Sequence, residues 1–451
     1  MRLSMYALVA MGIGAGVATP VQAESIRSAL ASAYNHNSEL NAQRAATRAT
    51  DEQLAAAKSG YRPQLSGTGN YGFVRNVTNG VRTDTNPYGY GIQLDQVIFD
   101  GFRTLNRVAV AEATIRGSRE QLRNTEQTVL QSAATAYVDV LRAQEVLSIR
   151  RRNLSFLNEQ VRSARARLEV GEGTRTDVAQ SQGEQAAARA QVTAAEAQLA
   201  GAKAVYRQVI GKAPHNLRWP KGPVRLYPNS LHSAIVLGAN QHPAIRLALH
   251  SVDAAAFNVK IEQGAFLPTL AFRGSAQKQF NQQRQGIDSS TLSAQVQLTV
   301  PIYQGGAASA ATRGAKEQLA QTRIQVDVAR DQVRAAVVAS WSQLQSARAS
   351  LAASRAQVRA ARLALSGLIE ERNVGQRTQL DVLLQQSQVL NAQLNVVESR
   401  KAQVDAGYAL VAAIGRLGSR TLGLHVRHYD PKEHYNKVKD LWFGLRTPSG
   451  N

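Results

Sequence analysis

Two short stretches of the chain repeat one polar pattern, Val170-Gly171-Glu172-Gly173-Thr174-Arg175-Thr176-Asp177 and Val374-Gly375-Gln376-Arg377-Thr378-Gln379-Leu380-Asp381. A glycine at a helix end can take the left-handed conformation that stops the helix. A threonine followed three residues later by aspartate can cap the next one. The chemistry on offer is therefore hydrogen bonding at a tight turn between helices, with carboxylates at Asp177 and Asp381. Groups suited to covalent chemistry are scarce. The chain has no cysteine, which removes disulfides, thiol nucleophiles, thiolate metal sites and an acylated N-terminal cysteine together. It contains neither a G-x-x-x-x-G-K-S/T phosphate loop nor an H-E-x-x-H helix. His425, His428 and His434 lie close together near the end, without a ligand pattern, and read as surface histidines. No catalysis, cofactor or metal is expected.

Tight turns need helices to join, and the helices here are unusually long. Val140, Leu147, Leu154, Val161 and Leu168 recur every seven residues, as do Val337, Leu344, Leu351, Val358 and Leu365. Small residues such as Ala143 and Ala347 sit three positions on, so these are coiled-coil seams with closely approaching backbones. The predicted long helices run from Gly101 to about 170 and from Gly305 to about 374, each roughly 105 Å if continuous. Shorter helices are expected at 25–58, 177–211, 231–264 and 377–415. Two of about half length, laid end to end, match one long rod, and the next copy's first short helix is expected to complete the climb of each returning helix.

The two seams belong to an internal duplication. Gln93 and Gln297, Gly101 and Gly305, Gly171 and Gly375, Asp177 and Asp381, and Gly211 and Gly415 all keep one offset, 204 residues. The first repeat is placed at 24–212 and the second at 231–418. Between them, 213–230 carries Pro214, Pro220, Pro223 and Pro228, the mark of a linker or irregular belt. A tail, 419–451, has no counterpart in the first copy. At the start, Arg2, an apolar run from Met5 to Val17 and Val21-Gln22-Ala23 read as a signal peptide over 1–23.

Each repeat also holds two strand-like runs, 64–74 with 88–99 and 269–280 with 291–303. Leu292, Ala294, Val296, Leu298, Val300 and Ile302 alternate with largely polar neighbours, the period of a half-buried strand. No run of about eighteen apolar residues exists for a membrane-crossing helix. Eleven of the 25 aromatics (3 Trp, 13 Tyr, 9 Phe) fall in 61–102 and 266–303, the bias that interfacial girdles of a barrel produce. Open sheet edges are not tolerated in lipid, and barrels use at least about eight strands. Four strands per chain must therefore be completed by other protomers. The net charge of +21 raises nucleic acid as a partner. The arginines are spread along helical segments without a compact basic block, so solvated helix faces explain them and no nucleic acid is expected.

With the signal peptide, both copies and the paired hairpin motif in place, the sequence resembles the TolC-like outer membrane efflux proteins over essentially its whole length. The resemblance implies an α+β membrane protein of two tandem repeats, each with two β-strands and long coiled-coil helices. It implies a homotrimer whose outer-membrane β-barrel continues as a periplasmic α-helical barrel. The implied function is the exit duct of a tripartite efflux pump or type I secretion system. Its partners would be outer-membrane lipid, a periplasmic adaptor (membrane fusion) protein and an inner-membrane RND or ABC transporter, with drugs, amphiphiles or polypeptides as cargo. The family's periplasmic gate is held by polar links, whose acceptor positions match Thr176 and Asp177 and whose two arginine positions match Arg377 and Arg400. Asp381 matches the first of two tip-constriction aspartates, while Leu384 takes the second place and Arg372 stands where a gate tyrosine is expected. The competing reading is a periplasmic coiled-coil scaffold or adaptor without a pore.

Overall fold

A computed structural model describes residues 24–448 apart from 283 and 285. The expected signal peptide lies outside the described residues. Each copy runs from a pair of short helices through antiparallel strands into one very long helix, a hairpin and a returning helix. In the first copy these are α1 (Ile26–His36), α2 (Ser38–Lys58), β1 (Gln64–Tyr71), β2 (Val74–Thr78), β3 (Val81–Thr85), β4 (Tyr88–Phe99), α3 (Arg103–Glu169) and α4 (Arg175–Ile210). In the second they are α5 (Leu231–Gln241), α6 (Pro243–Gln263), β5 (Thr269–Phe280), β6 (Asp288–Thr299), α7 (Ala307–Asn373) and α8 (Gln379–Ala413). The tail adds α9 (Pro431–Val438).

The helices over 25–58 and 231–264 are each broken in two, and the breaks are written in side chains. Asn37 adopts an extended conformation and its Oδ1 accepts from the backbone N–H of Glu39 and Leu40, starting α2. His242 is likewise extended ahead of Pro243, which takes the first helical position of α6. At the first break, the end of α4 is tied in: Asn37 Nδ2 donates to Val209 O at 3.1 Å and Ser32 Oγ to Ile210 O at 3.0 Å. The corresponding end of α8 meets the α5–α6 break, where Gly415 lies against Gln241 and His242. Each returning helix is thus continued by the first helices of its own copy. This differs from the stacking expected from the sequence, in which the next copy's first short helix continues each returning helix. The belt 213–230 is long enough to let the chain cross between columns.

Both long helices contain 67 residues, about 100 Å of helix. In its lower half α3 packs between α4 and α8; in its upper half it packs against α2 and α6, and α6 also packs on α7. The result is a wall four helices wide. The seam residues Val140, Val337, Leu344, Leu390, Val397 and Val411 are buried in it. A polar belt closes the middle, where Tyr137 Oη donates at 2.8 Å to Glu24 O and Tyr206 Oη donates at 2.7 Å to the Glu24 carboxylate.

The main sheet has the order β1-β4-β5-β6, antiparallel throughout. Its register puts Leu65, Ile92, Leu94, Phe272, Leu292, Val296 and Leu298 on one face and Ser66, Gln93, Asp95, Arg273, Ser275, Gln295 and Gln297 on the other. The polar face is internally bonded: Arg273 Nε lies 3.3 Å from Asp95 Oδ1, and the Ser275 and Ser293 hydroxyls are 2.8 Å apart. A sheet with one apolar and one polar face suits a wall between lipid and water. Residues 64–74 do not form one strand. The chain leaves the sheet after Tyr71 and makes a second hairpin, β2–β3, turning at Asn79-Gly80 with both residues at positive φ. That dipeptide is the strongest short hairpin signal in a sequence. The last strand is likewise shifted, ending at Thr299 ahead of Pro301, which has no N–H to donate to a ladder.

Candidate functional site

The hairpin end of the wall is where the repeated motifs meet. At the first hairpin Gly171 has φ 79°, and the N–H of Glu172 donates to Arg167 O at 2.9 Å, closing the end of α3. Thr174 Oγ1 accepts from the Asp177 N–H at 3.1 Å, while Asp177 Oδ2 accepts from the Thr174 N–H at 3.0 Å and hydroxyl at 2.8 Å. The second hairpin repeats this almost to the ångström: Gly375 has φ 83°, and Asp381 Oδ2 accepts from the Thr378 N–H at 3.0 Å and hydroxyl at 2.8 Å. Those bonds, with the positive charge of Arg377, hold the Asp381 carboxyl below the usual carboxylate range. In both boxes the bonding falls on Oδ2, so each aspartate can cap its helix and still offer Oδ1 to an outside donor.

The residues matched to the latch are spread out within one protomer. Thr176 is exposed and Asp177 half-buried. Arg377 does not reach Asp177; its Nε lies 2.9 Å from Glu371 Oε2, six residues back across its own turn, which raises the guanidinium's pKa. Arg400 stands 21 residues up α8 from Gln379, roughly 32 Å from the turn. There it stacks over Trp219 at 4.4 Å, with Nη1 3.9 Å from Glu145 Oε2, the same oxygen that accepts from Trp219 Nε1 at 2.8 Å. Burial lowers the Arg400 pKa despite the nearby carboxylate.

Arg372, noted in the sequence only as a departure from the expected tyrosine, is the most engaged side chain of the tip. It is buried, and its Nη1 donates at 2.9 Å to both Gln160 Oε1 and Gln379 Oε1. Gln379 Nε2 donates in turn to Gln160 Oε1 at 3.0 Å. The side chain thus clasps α3, α7 and α8 through amide oxygens and, among the described residues, finds no carboxylate. Burial, and then repulsion from Arg167, lower its pKa. Above the clasp, polar rungs climb the α3–α8 seam at a steady register: Asn153 with Gln386 at 2.8 Å, Arg142 with Glu398 at 2.7 Å and Asp139 with Lys401 at 3.3 Å. Leu157 with Leu383 and Ile149 with Leu390 fill the layers between. Because Gln379, the first residue of α8, meets Gln160, nine residues short of the end of α3, the first hairpin reaches roughly 14 Å beyond the second.

The three histidines of the tail do not converge. His428 Nδ1 meets Ser419 Oγ at 3.1 Å, and His434 Nδ1 lies 3.3 Å from Asp51 on α2. Among the described residues, no group of three or more His, Asp or Glu is placed to hold a metal.

A long-helix wall joined to a two-faced sheet with open edges is the architecture of a protomer of a membrane-spanning tunnel. Residues 29–212 and 235–416, one segment for each copy, match the outer membrane efflux protein family. The chain belongs to that family. It is 47% identical over 429 residues to the outer membrane efflux protein BepC of Brucella suis biovar 1 (strain 1330), covering 95% of this chain and 93% of that one. It is 24% identical over 432 residues to the outer membrane protein TolC of Escherichia coli (strain K12), covering 90% of this chain and 85% of the relative. The solved CmeC outer membrane channel of Campylobacter jejuni shares the fold, with a TM-score of 0.75 at 15% identity over 92% of this chain and 89% of that one. As an outer membrane efflux protein, the chain is an export duct of the outer membrane with a periplasmic helical extension.

Proposed function

We propose that three copies close into one duct, that its periplasmic mouth is gated at the hairpins, and that its role is passive passage without catalysis. The observation that carries closure is the sheet itself. Among the described residues, strands β1 and β6 have no partner on their outer edges, and their unpaired backbone groups are untenable in lipid until a neighbouring protomer supplies the next strand. Three protomers bring twelve strands, within the range of stable barrels.

The gate reading rests on the free Oδ1 of each aspartate and on the offset between hairpins. Thr176 and Asp177 of one protomer accept from Arg377 of the next, exchanging the local Arg377–Glu371 pair for a link between protomers when the mouth is shut. Arg400 acts higher up, bracing α8 against α3 through Glu145 and Trp219. A ring of Asp381 carboxylates favours cations at the tip, with Leu384 leaving the second ring absent. A periplasmic adaptor would dock its helical hairpin in grooves between the tunnel's helices and connect the duct to an inner-membrane RND or ABC transporter. Efflux of drugs and other amphiphiles is favoured over polypeptide secretion by the likeness to an efflux protein at 47% identity.

The test is single-channel recording in planar bilayers. Replacing Asp177 and Arg377 by alanine together is expected to raise conductance several-fold and to lengthen open times. Conductance equal to that of the parent would leave capping as the only role of Asp177.

A further inference from the structure

The C-terminal tail is the one segment without a counterpart in the first copy, and the export function does not account for it. Its helix α9 is fixed to α2. His434 meets Asp51, Arg119 stacks on Tyr435 at 4.9 Å, and Val438 is fully buried. Beyond α9 the chain continues along α2 toward the membrane. Lys58 Nζ lies 2.7 Å from Asp440 Oδ1, and Arg62 Nη1 donates to Leu441 O at 2.7 Å while its guanidinium covers the Trp442 ring at 4.7 Å. Arg62 stands two residues before the first residue of β1. The tail is therefore pinned where helix gives way to barrel strand, the level of the inner headgroups.

What it presents there is apolar and uncovered. Trp442 is 65% exposed, Phe443 89% and Leu445 fully exposed. Around them the charge is basic: Lys58, Arg62, Lys439 and Arg446 against Asp440, with Lys437 paired to Glu433 at 3.0 Å. Large apolar side chains held by short polar ties, rimmed by cations and placed at the base of a membrane barrel, match the chemistry of a phospholipid interface. Aromatic rings settle among headgroups and lysines and arginines meet their phosphates.

We propose that Leu441–Leu445 is an interfacial anchor that enters the periplasmic phospholipid leaflet of the outer membrane beside the barrel. It would fix the height of the helical wall relative to the membrane, in a chain that has no cysteine to carry an acyl anchor. The proposal rests on the membrane placement of the strands, so the experiment tests the two separately.

The absence of cysteine makes single-site labelling clean. Phe443→Cys, Leu445→Cys, Val296→Cys on the apolar face of β6 and Glu433→Cys on α9 would each carry a nitroxide in the full-length protein. They would be reconstituted in vesicles of phosphatidylethanolamine and phosphatidylglycerol. The readout is collision with oxygen against a water-soluble nickel chelate. Oxygen is expected to dominate by several-fold at 443, 445 and 296, and nickel at 433. Nickel dominance at 443 and 445 with oxygen dominance at 296 overturns the anchor and leaves the barrel intact. Collision with neither reagent at 443 and 445 also overturns it, in favour of cover by a neighbouring protomer. Loss of the oxygen signal at 296 as well would instead indict the membrane placement. In the unlabelled chain, brominated lipid should quench a component of the tryptophan fluorescence that disappears in Trp442→Phe. Equal quenching in both proteins counts against the proposal.

Discussion

The Arg372 clasp makes a prediction in which the more conservative-looking mutation does more harm. Gln160→Leu removes the oxygen that accepts from both Arg372 Nη1 and Gln379 Nε2. A hydrogen bond to a charged donor contributes about 1.5–3 kcal/mol and one between amides about 1 kcal/mol, so the loss sums to about 3 kcal/mol. It also leaves a buried guanidinium with fewer partners. Arg372→Leu deletes the charge itself. The Gln379–Gln160 bond survives, Gln379 Oε1 loses its donor, and the cost is offset because a cation no longer has to be buried beside Arg167. Its net cost should be about 1 kcal/mol. The difference, about 2 kcal/mol, corresponds to about 30-fold in the opening equilibrium of the second hairpin. Hydrogen–deuterium exchange in the reconstituted protein reads this directly at the amides of Gly375 and Gln376, which donate to Arg372 O and Glu371 O. Exchange at these amides should be about 30-fold faster in Gln160→Leu than in Arg372→Leu, and the double variant should resemble Arg372→Leu. Equal exchange in the two single variants, or faster exchange in Arg372→Leu, would refute the view that the clasp is a buried charge held by amide oxygens.

Two further outcomes follow from local geometry. The Asp381 carboxyl is held below its ordinary range by the Thr378 bonds, so its contribution is present above about pH 4 and is lost only as pH falls through the lower folded value. The cation preference of the channel, read from reversal potentials, should therefore persist at pH 4 and move to a higher midpoint in Thr378→Val; a midpoint at the ordinary carboxylate value in the parent would contradict the capping assignment. Gly407 faces Tyr227 so closely that a Cβ would overlap the phenol oxygen, so Gly407→Ala should destabilise by about 1–3 kcal/mol. The drop in apparent melting temperature should be largely recovered by adding Tyr227→Phe, and a tolerated Gly407→Ala would show that the belt is loosely packed.

Much of the fold was legible because its determinants are periodic. A seven-residue seam repeated across two copies fixes helix length whatever the helix packs against, and a period of two over Leu292–Ile302 declares a sheet face without knowledge of the partner strand. Where the sequence reading differed, the decisive feature was a single residue acting against that period. Asn37 and His242-Pro243 interrupt otherwise helical runs, and they matter because the breaks receive the ends of α4 and α8. That choice also decides which short helix stacks on which. Connection order alone cannot reveal it, since the belt 213–230 is long enough to reach either column.

The site was legible in a different degree. Capping belongs to the motif: Thr174 with Asp177 and Thr378 with Asp381 are close in sequence, and their bonds follow once the helix ends are placed. Pairing between charges does not follow in this way. Arg377 has Glu371 and Asp381 within the reach of a flexible side chain and, in the closed duct proposed above, would have a neighbouring protomer's Asp177 as well; exposed pairs of this kind differ by about 1 kcal/mol or less. A near-degenerate choice is poor material for a permanent joint and good material for a gate, because small changes in helix position are enough to exchange partners. Arg372 is the contrasting case. It is buried, its donors are shared by three helices, and replacing those bonds during opening requires a rearrangement of the seam. The tip therefore combines a labile outer set of charges with a firmer inner clasp, and an opening motion that separates the hairpins should exchange the first before it strains the second.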